Sequence, residues 1–214
     1  MCANAIYLQD YLGVRERTTK PNVFVIESLD FDDEENEMFE GKILSQILHL
    51  GDKKSEYYYI RTKRELEEVL KLFRKSDYRY LHLSCHGSTK SISTTLDCIS
   101  FSQFGNLVRP YLKDKRLFIS ACSAVNDNLA KTVIPSSKCL SIIGSTKKVS
   151  YNDAAIMWAS FYHLMFQEDP QRMKRRNIES TLRKLAKTFG VPLNYFSISK
   201  GSKEGYKRTT IPSK

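Results

Sequence analysis

Two apolar runs in this chain each end in a side chain that can take part in nucleophilic catalysis. The run of residues 80–85 is followed by His86, and the run of residues 116–121 is followed by Cys122. Adjacent parallel strands lie about 4.8 Å apart, so groups that leave their carboxyl ends can meet in one crevice. An imidazole can accept the thiol proton, and the thiolate is the nucleophile. We therefore predict a dyad of His86 and Cys122.

The residues around the dyad are small. Gly87 directly follows His86, and Ala121 and Ser123 flank Cys122. Small neighbours let a peptide backbone approach, and glycine frees an amide that can face a developing oxyanion. The amides of Gly87 and Cys122 are the predicted oxyanion hole.

The remaining cysteines are expected to be reduced and to have no role in catalysis. An odd number of cysteines without regular spacing argues against a disulfide framework. The chain also lacks CxxC patterns, so neither a zinc site nor any other cofactor is predicted. Free cysteine usually packs as a small apolar residue. The four cysteines are Cys2, Cys85, Cys98 and Cys139.

The composition indicates one domain. A chain of 214 residues, 41% hydrophobic and 27% charged, is long enough for a single packed core and short for two. We assign residues 1–199 to the domain and residues 200–214 to a basic C-terminal segment. No apolar stretch approaches the roughly 20 residues of a membrane span, and the first residues lack the order of a secretion signal. A cytoplasmic protein without membrane association is the expectation.

The net charge of +10 favours an acidic partner. A nucleic-acid-binding role is the alternative that this charge leaves open, whereas a solvated helix face is preferred because no aromatic residues interleave to stack bases. The basic residues concerned are Arg172, Lys174, Arg175, Arg176, Arg183, Lys184 and Lys187.

Strand-like and helix-like segments alternate along the chain. Continuous apolar runs predict buried strands, and apolar residues recurring every three or four positions predict helices. This alternation favours an α/β fold with a mostly parallel sheet and helices on both faces. The predicted strands are 22–27, 56–61, 80–85, 116–121, 139–144, 195–199 and 206–211. The predicted helices are 36–50, 63–74, 102–113, 126–134, 154–166 and 177–189.

The order of an apolar strand, His-Gly, a second apolar strand and Ala-Cys resembles that of caspase-like (clan CD) cysteine peptidases, which include caspases, separases, gingipains and CHAT domains. The spacing of 36 residues between His86 and Cys122 differs from the caspase pattern, and residues 120–124 do not match Q-A-C-x-G. A segment from Val149 to Asp153 and Ala154, followed by an aromatic-rich helix, is more similar to CHAT-type peptidases.

This resemblance implies a three-layer, caspase-like sandwich and a cysteine endopeptidase. His86 would act as acid and base, and Cys122 would attack a peptide carbonyl of a protein substrate. Prokaryotic members commonly serve in antiviral defence or cell death, and control by a regulatory partner or ligand is expected. No third orienting group is predicted. A catalytically idle interaction module of the same fold is the alternative.

Asp153 is the predicted specificity residue. In separases and related peptidases an acid in the comparable segment lines the pocket for a basic side chain, so the resemblance implies cleavage after Arg or Lys. The alternative is that Asp153 caps the helix that follows it, because aspartate is a preferred N-cap residue.

Overall fold

The computed structural model describes residues 19–214, which contain a seven-stranded sheet of order β10-β9-β8-β7-β3-β1-β2. Five neighbouring strands are parallel, and β9 pairs antiparallel with both β8 and β10. The strands are β1 (Lys20–Glu27), β2 (Ser55–Tyr59), β3 (Tyr78–Ser84), β7 (Arg116–Ser120), β8 (Ser141–Ser145), β9 (Leu193–Ile198) and β10 (Tyr206–Ile211). A small second sheet contains β4 (His86–Gly87), β5 (Ser91–Ser93) and β6 (Cys98–Ser100).

Helices cover both faces of the large sheet. Side chains of β1 alternate between the two cores, since Phe24 and Ile26 pack on one face while Val23 and Val25 pack on the other. Helices α3, α4 and α5 contribute to the first core, and α2, α6 and α7 to the second. The predicted three-layer α/β architecture is confirmed. The helices are α1 (Phe31–Glu35), α2 (Glu40–Leu50), α3 (Lys63–Ser76), α4 (Phe101–Val108), α5 (Asp127–Ser137), α6 (Tyr151–Glu168) and α7 (Arg175–Phe189), with a short 3₁₀ turn at Arg109–Tyr111.

The last strand extends the domain beyond the predicted boundary at residue 199. β10 pairs with β9 over six residues, from Tyr206 opposite Ile198 to Ile211 opposite Leu193. Tyr206 and Ile211 are buried, whereas Lys207 and Arg208 between them are exposed. The segment 200–214 therefore contributes an edge strand to the sheet as well as basic charge. No helix among residues 19–214 has the length and apolarity that a membrane crossing requires.

Two local predictions differ from the structure. Pro135 does not end the helix before it but lies inside α5, which continues to Ser137 and ends where Lys138 adopts the left-handed conformation. A proline so close to a helix end removes only one of the last hydrogen bonds. Helix α6 begins at Tyr151 rather than at Ala154, because Ser150 is its N-cap and accepts a hydrogen bond from Asp153 N.

Candidate active site

His86 and Cys122 lie at the same edge of the sheet and line the same cavity, which has a volume of about 520 Å³. β3 and β7 are parallel neighbours that end in register at Ser84 and Ser120. Just beyond them, Cys85 N donates to Ser120 O at 3.0 Å. Each strand then leaves the sheet at its carboxyl end, so both residues reach the lining of this cavity.

Gly87 joins the histidine loop to the cysteine loop. A Cβ atom at this position would lie 2.9 Å from Ala121 Cβ, 3.1 Å from Ala124 Cβ and 3.2 Å from the Cys122 carbonyl oxygen. Only glycine allows the two loops to pack this closely. The glycine after His86 therefore sets the distance between the two reactive residues.

The turn after Cys122 is held in an uncommon conformation. Ser123 has φ of 57°, in the left-handed region that non-glycine residues seldom adopt. Its amide donates to Lys147 O at 3.3 Å, which fixes the turn against the segment between β8 and α6. Cys122 is partly exposed, and its Sγ lies 3.9 Å from Val149 O. The thiol is therefore accessible from the cavity.

Two side chains orient His86. Its Nε2 lies 2.6 Å from Asp33 Oδ2, and the Tyr151 hydroxyl lies 3.1 Å from the same nitrogen. Tyr151 also donates to Asp33 Oδ2 at 2.6 Å. With Nε2 directed at the carboxylate, Nδ1 is the nitrogen that remains to exchange a proton with a thiol or a leaving group.

Asp33 is kept ionised in this arrangement. Partial burial raises its pKa, but the hydrogen bonds from Tyr151 and His86 and the charge of His86 outweigh this effect and hold the pKa below its usual value. Burial and the neighbouring carboxylate raise the pKa of Tyr151, so its hydroxyl stays protonated as a donor. An ionised Asp33 stabilises the imidazolium that forms when His86 accepts a proton.

The sequence prediction missed Asp33 and Tyr151, the two residues that contact His86 Nε2 and each other. Asp33 lies in α1 after β1, and β1 is the neighbour of β3 in the sheet. Asp30 is the N-cap of α1, accepts from Asp33 N at 2.9 Å, and places its Oδ2 3.2 Å from His86 Nε2. The acidic turn after the first strand was the available signal.

The same histidine and carboxylates are the one group of three or more potential metal ligands among residues 19–214. Ligand atoms of Asp30, Asp33 and His86 all lie within 4.8 Å of one another. The 2.6 Å hydrogen bond between Asp33 and His86 satisfies the imidazole without an ion. A divalent cation at this place would displace the Nε2 proton and compete with the orienting role of Asp33.

A buried carboxylate lies on the cavity wall between the two reactive strands. Glu40, the first residue of α2, is 3% exposed and accepts hydrogen bonds through Oε2 from Ser120 Oγ at 2.9 Å and Ser84 Oγ at 3.3 Å. Its Oε1 is buried and accepts no hydrogen bond from residues 19–214; His82 Nε2 approaches no closer than 3.8 Å. Apolar side chains, including Met157 and Trp158, line the same cavity.

Asp153 lies outside the cavity lining. Its Oδ2 accepts from Ser150 Oγ at 2.7 Å, and Ser150 Oγ accepts from Asp153 N at 3.1 Å. This reciprocal pair occupies the first turn of α6, where a carboxylate interacts favourably with the helix dipole. The structure brings His86, Gly87 and Cys122 together and places Asp153 in the first turn of α6, where Ser150 rather than Asp153 is the N-cap.

The other described cysteines differ from Cys122 in burial. Burial raises the pKa of the Cys85 and Cys139 thiols to about 12, so both are protonated and inert at neutral pH. Cys98 is exposed on β6. Cys2 lies outside the described residues.

Comparisons with solved structures identify the fold. The chain is similar to a secreted C11 cysteine protease from Bacteroides thetaiotaomicron, "iotapain", with 10% identity and a TM-score of 0.52 over 84% of this chain and 67% of the other. It is also similar to the Arg-specific cysteine proteinase gingipain R, with 13% identity and a TM-score of 0.54 over 92% of this chain and 48% of the other. No family model and no curated protein matches the sequence.

The fold of the chain is that of caspase-like, clan CD cysteine peptidases. At identities of 10% and 13% the likeness concerns the fold alone, and the chain spans about two thirds of the first structure and about half of the second. Function must therefore be argued from the site, because one fold can support many functions.

Proposed function

We propose that this protein is a cysteine endopeptidase that uses His86 and Cys122 to hydrolyse a peptide bond of a protein substrate. The observation that carries the proposal is the convergence of both residues on one cavity, with His86 oriented by Asp33 and Tyr151. A partly exposed thiol that shares a cavity with an imidazole held by a carboxylate is an arrangement that supports activation of a nucleophile.

The proposed reaction proceeds in two steps. Nδ1 of His86 accepts the thiol proton, and the Cys122 thiolate attacks the carbonyl carbon to give a tetrahedral intermediate. The amides of Gly87 and Cys122 stabilise its oxyanion. The C–N bond then breaks, His86 donates its proton to the departing amine, and a thioester remains. Water, deprotonated by His86, hydrolyses the thioester and restores the thiol.

Cleavage after a basic residue is the proposed specificity, and the structure favours Glu40 over Asp153 as the residue that recognises the basic side chain. Glu40 lines the cavity, and its Oε1 accepts no hydrogen bond from residues 19–214. The aliphatic part of an Arg or Lys side chain can pack on Met157 and Trp158, while its charged end reaches the carboxylate. Lys148, the one basic side chain other than His86 on the lining, is exposed.

An affinity label tests the peptidase proposal. A peptidyl chloromethyl ketone ending in arginine should modify Cys122 in the full chain, and Cys122→Ala should lose both labelling and peptide hydrolysis. Cys98→Ser is the matched control, because Cys98 is exposed but remote from the cavity lining. Labelling that disappears in Cys98→Ser and persists in Cys122→Ala would reject the dyad.

A panel of peptides that differ only at the residue before the scissile bond tests the specificity. Glu40→Gln should lower kcat/KM for Arg and Lys substrates by about 100-fold and leave a Gln substrate unchanged, since a buried charge loses its partner. Asp153→Asn should leave the preference intact. If Asp153→Asn abolishes the basic preference and Glu40→Gln does not, Asp153 is the specificity residue.

The resemblance of residues 149–154 and the helix after them to CHAT-type peptidases suggests a biological role. We infer a CHAT-type peptidase of a prokaryotic antiviral defence or cell-death pathway, active in the cytoplasm and controlled by a regulatory partner. Interaction without catalysis is less favoured, because the Cys122 thiol is partly exposed on the same cavity as His86. Full folding with no labelling and no hydrolysis of any substrate would favour that alternative.

A further inference from the structure

A second cavity lies at the opposite end of the sheet, where the parallel strands begin. Its volume is about 680 Å³, within the size range of small-molecule sites. Arg79 near the start of β3 and Arg116 at the start of β7 line it, together with the segment that leads into α7. Five basic side chains and one carboxylate, that of Asp114, line this amino-end cavity. The basic residues are Arg79, Arg116, Arg172, Lys174 and Arg175.

The arginines of the amino-end cavity are held by neutral groups. Arg79 donates to Thr19 O, Thr19 Oγ1 and Gln171 O at 2.6–2.8 Å. Arg116 donates to Ser141 Oγ at 2.9 Å and to Met173 O at 3.0 Å. These bonds fix the planes of the guanidinium groups but leave their charges uncompensated.

Ion pairs are nearly absent from the amino-end cavity. No ion pair found among residues 19–214 includes Arg79, Arg116 or Arg175. Lys174 reaches Asp169 only at 3.7 Å. Arg79 and Arg116 are also partly buried, and burying a cation without a counter-charge is costly. The cavity therefore has a strong positive potential that an anion would relieve.

The first turn of α7 adds to this potential. Its N-cap, Lys174, makes no side-chain capping bond, and the first turn contains no acidic residue. Lys174, Arg175 and Arg176 follow one another at the positive end of the helix dipole, where acidic residues are normally favoured. A bound anion would accept bonds from the free amides and neutralise these three charges.

A buried hydroxyl lies beside the same arginines. Tyr195 on β9 is 1% exposed and belongs to the packed core. Burial raises the pKa of Tyr195, and the nearby charges of Arg116 and Arg175 partly offset that effect. Arg116 and Arg175 therefore both lie near this hydroxyl, although Tyr195 itself does not line the cavity.

We propose that the amino-end cavity binds a small phosphate-bearing ligand of the size of a nucleoside triphosphate. Phosphate oxygens match the fork geometry of arginine, and several arginines with a helix N-terminus can hold two or three linked phosphates. The site is separate from the proposed peptidase site, since it lies at the amino ends of the strands rather than at their carboxyl ends.

Calorimetric titration of the full chain with ATP, without magnesium and at low salt, tests the proposal. Binding to one site is expected, and Arg116→Gln and Arg175→Gln should each weaken it about tenfold or more. The matched control is Arg183→Gln, which removes the same charge from α7 outside the cavity and should bind as the unchanged protein does. Because Arg175 is exposed, its variant remains informative if Arg116→Gln unfolds.

Three outcomes would overturn the proposal. One is no heat of binding with ATP and none with inorganic pyrophosphate. Another is an equal loss in Arg183→Gln, which would indicate non-specific attraction to the net charge. The third is a single-stranded oligonucleotide that binds more tightly than ATP and depends on Arg183, Lys184 and Lys187, which would favour the nucleic-acid alternative.

Discussion

The two ends of the central sheet hold their charges in opposite ways. At the carboxyl end, His86 meets Asp33, Arg61 meets Glu34, and the buried carboxylate of Glu27 accepts bonds from two amides and a tyrosine. At the amino end, the guanidinium groups of Arg79 and Arg116 bond only to carbonyl and hydroxyl oxygens. At the carboxyl end the charged side chains named here have partners, with the exception of Glu40 Oε1. At the amino end the charges of Arg79 and Arg116 are in excess.

Under the two proposals made above, this difference would let one sheet separate catalysis from ligand binding. Paired charges fix the orientation of a reacting side chain, and a fixed orientation is what proton transfer requires. Unpaired charges that are fixed by neutral groups cost stability and offer affinity for a ligand of opposite sign. The exception, Glu40, belongs to the lining of the cavity that His86 and Cys122 share.

The largest expected effect comes from breaking the best-paired group at the carboxyl end. Asp33→Asn should reduce kcat for peptide hydrolysis by about 10³-fold, because an amide favours the wrong imidazole tautomer and cannot stabilise the imidazolium. Asp33 is a positioning residue, so the pH profile of kcat/KM should change as well. A fluorogenic peptide assayed across a range of pH measures this change.

Asp32→Asn is the control for this prediction. Asp32 is exposed, lies in the same turn of α1, and loses the same charge. If Asp32→Asn and Asp33→Asn change the rate equally, the effect belongs to the net charge of the turn and the hydrogen bond to His86 has no special role.

The shared cavity position of His86 and Cys122 could be predicted from the sequence because the residues next to each of them mark the end of a strand. An apolar run followed by His-Gly or by Ala-Cys defines a strand end, and parallel strands bring such ends together. Asp33 could not be found in this way. It lies 53 residues from His86, and its contact depends on the pairing of β1 with β3, which is decided by tertiary packing.

Asp153 illustrates a limit of another kind. A carboxylate before an apolar helix fits both a helix cap and a specificity pocket, and the sequence does not separate the two. The structure places its carboxylate against Ser150 in the first turn of α6. Glu40 gave no signal, because the glutamate that begins α2 resembles any first-turn acid until Ser84 and Ser120 are seen beneath it.

A smaller effect on the rate should come from separating the loop that carries His86 from the loop that carries Cys122. Gly87→Ala would place a Cβ within 2.9–3.2 Å of Ala121, Ala124 and the Cys122 carbonyl, so the loops must move apart. A displacement of this order typically costs about 10²-fold in rate. We expect that loss in kcat, with folding retained by circular dichroism. Gly201→Ala, where no atom lies within 4 Å, should be without effect; unchanged activity in Gly87→Ala would contradict the role given to this close approach.

The smallest expected effect concerns the free energy of unfolding, and it tests whether the buried Glu27 carboxylate at the carboxyl end is fully stabilised by its hydrogen bonds. Burial raises the pKa of Glu27 from 4.5 to about 7, against the lowering effect of hydrogen bonds from Gly41, Tyr57 and Lys42. Because the folded pKa is above the unfolded one, the native state binds more protons. The contribution of Glu27 to the stability of the native state is therefore largest below pH 4.5 and is lost as the pH rises through about 7. The loss by pH 8 should be roughly 3 kcal/mol at most.

Urea unfolding at pH 5 and pH 8 should show this decline in the unchanged protein and in Glu35→Gln, which alters an exposed carboxylate of α1. Glu27→Gln should flatten it. If the stability of Glu27→Gln declines equally steeply, the pH dependence comes from other groups, and the ionisation of Glu27 at the end of β1 does not destabilise the fold.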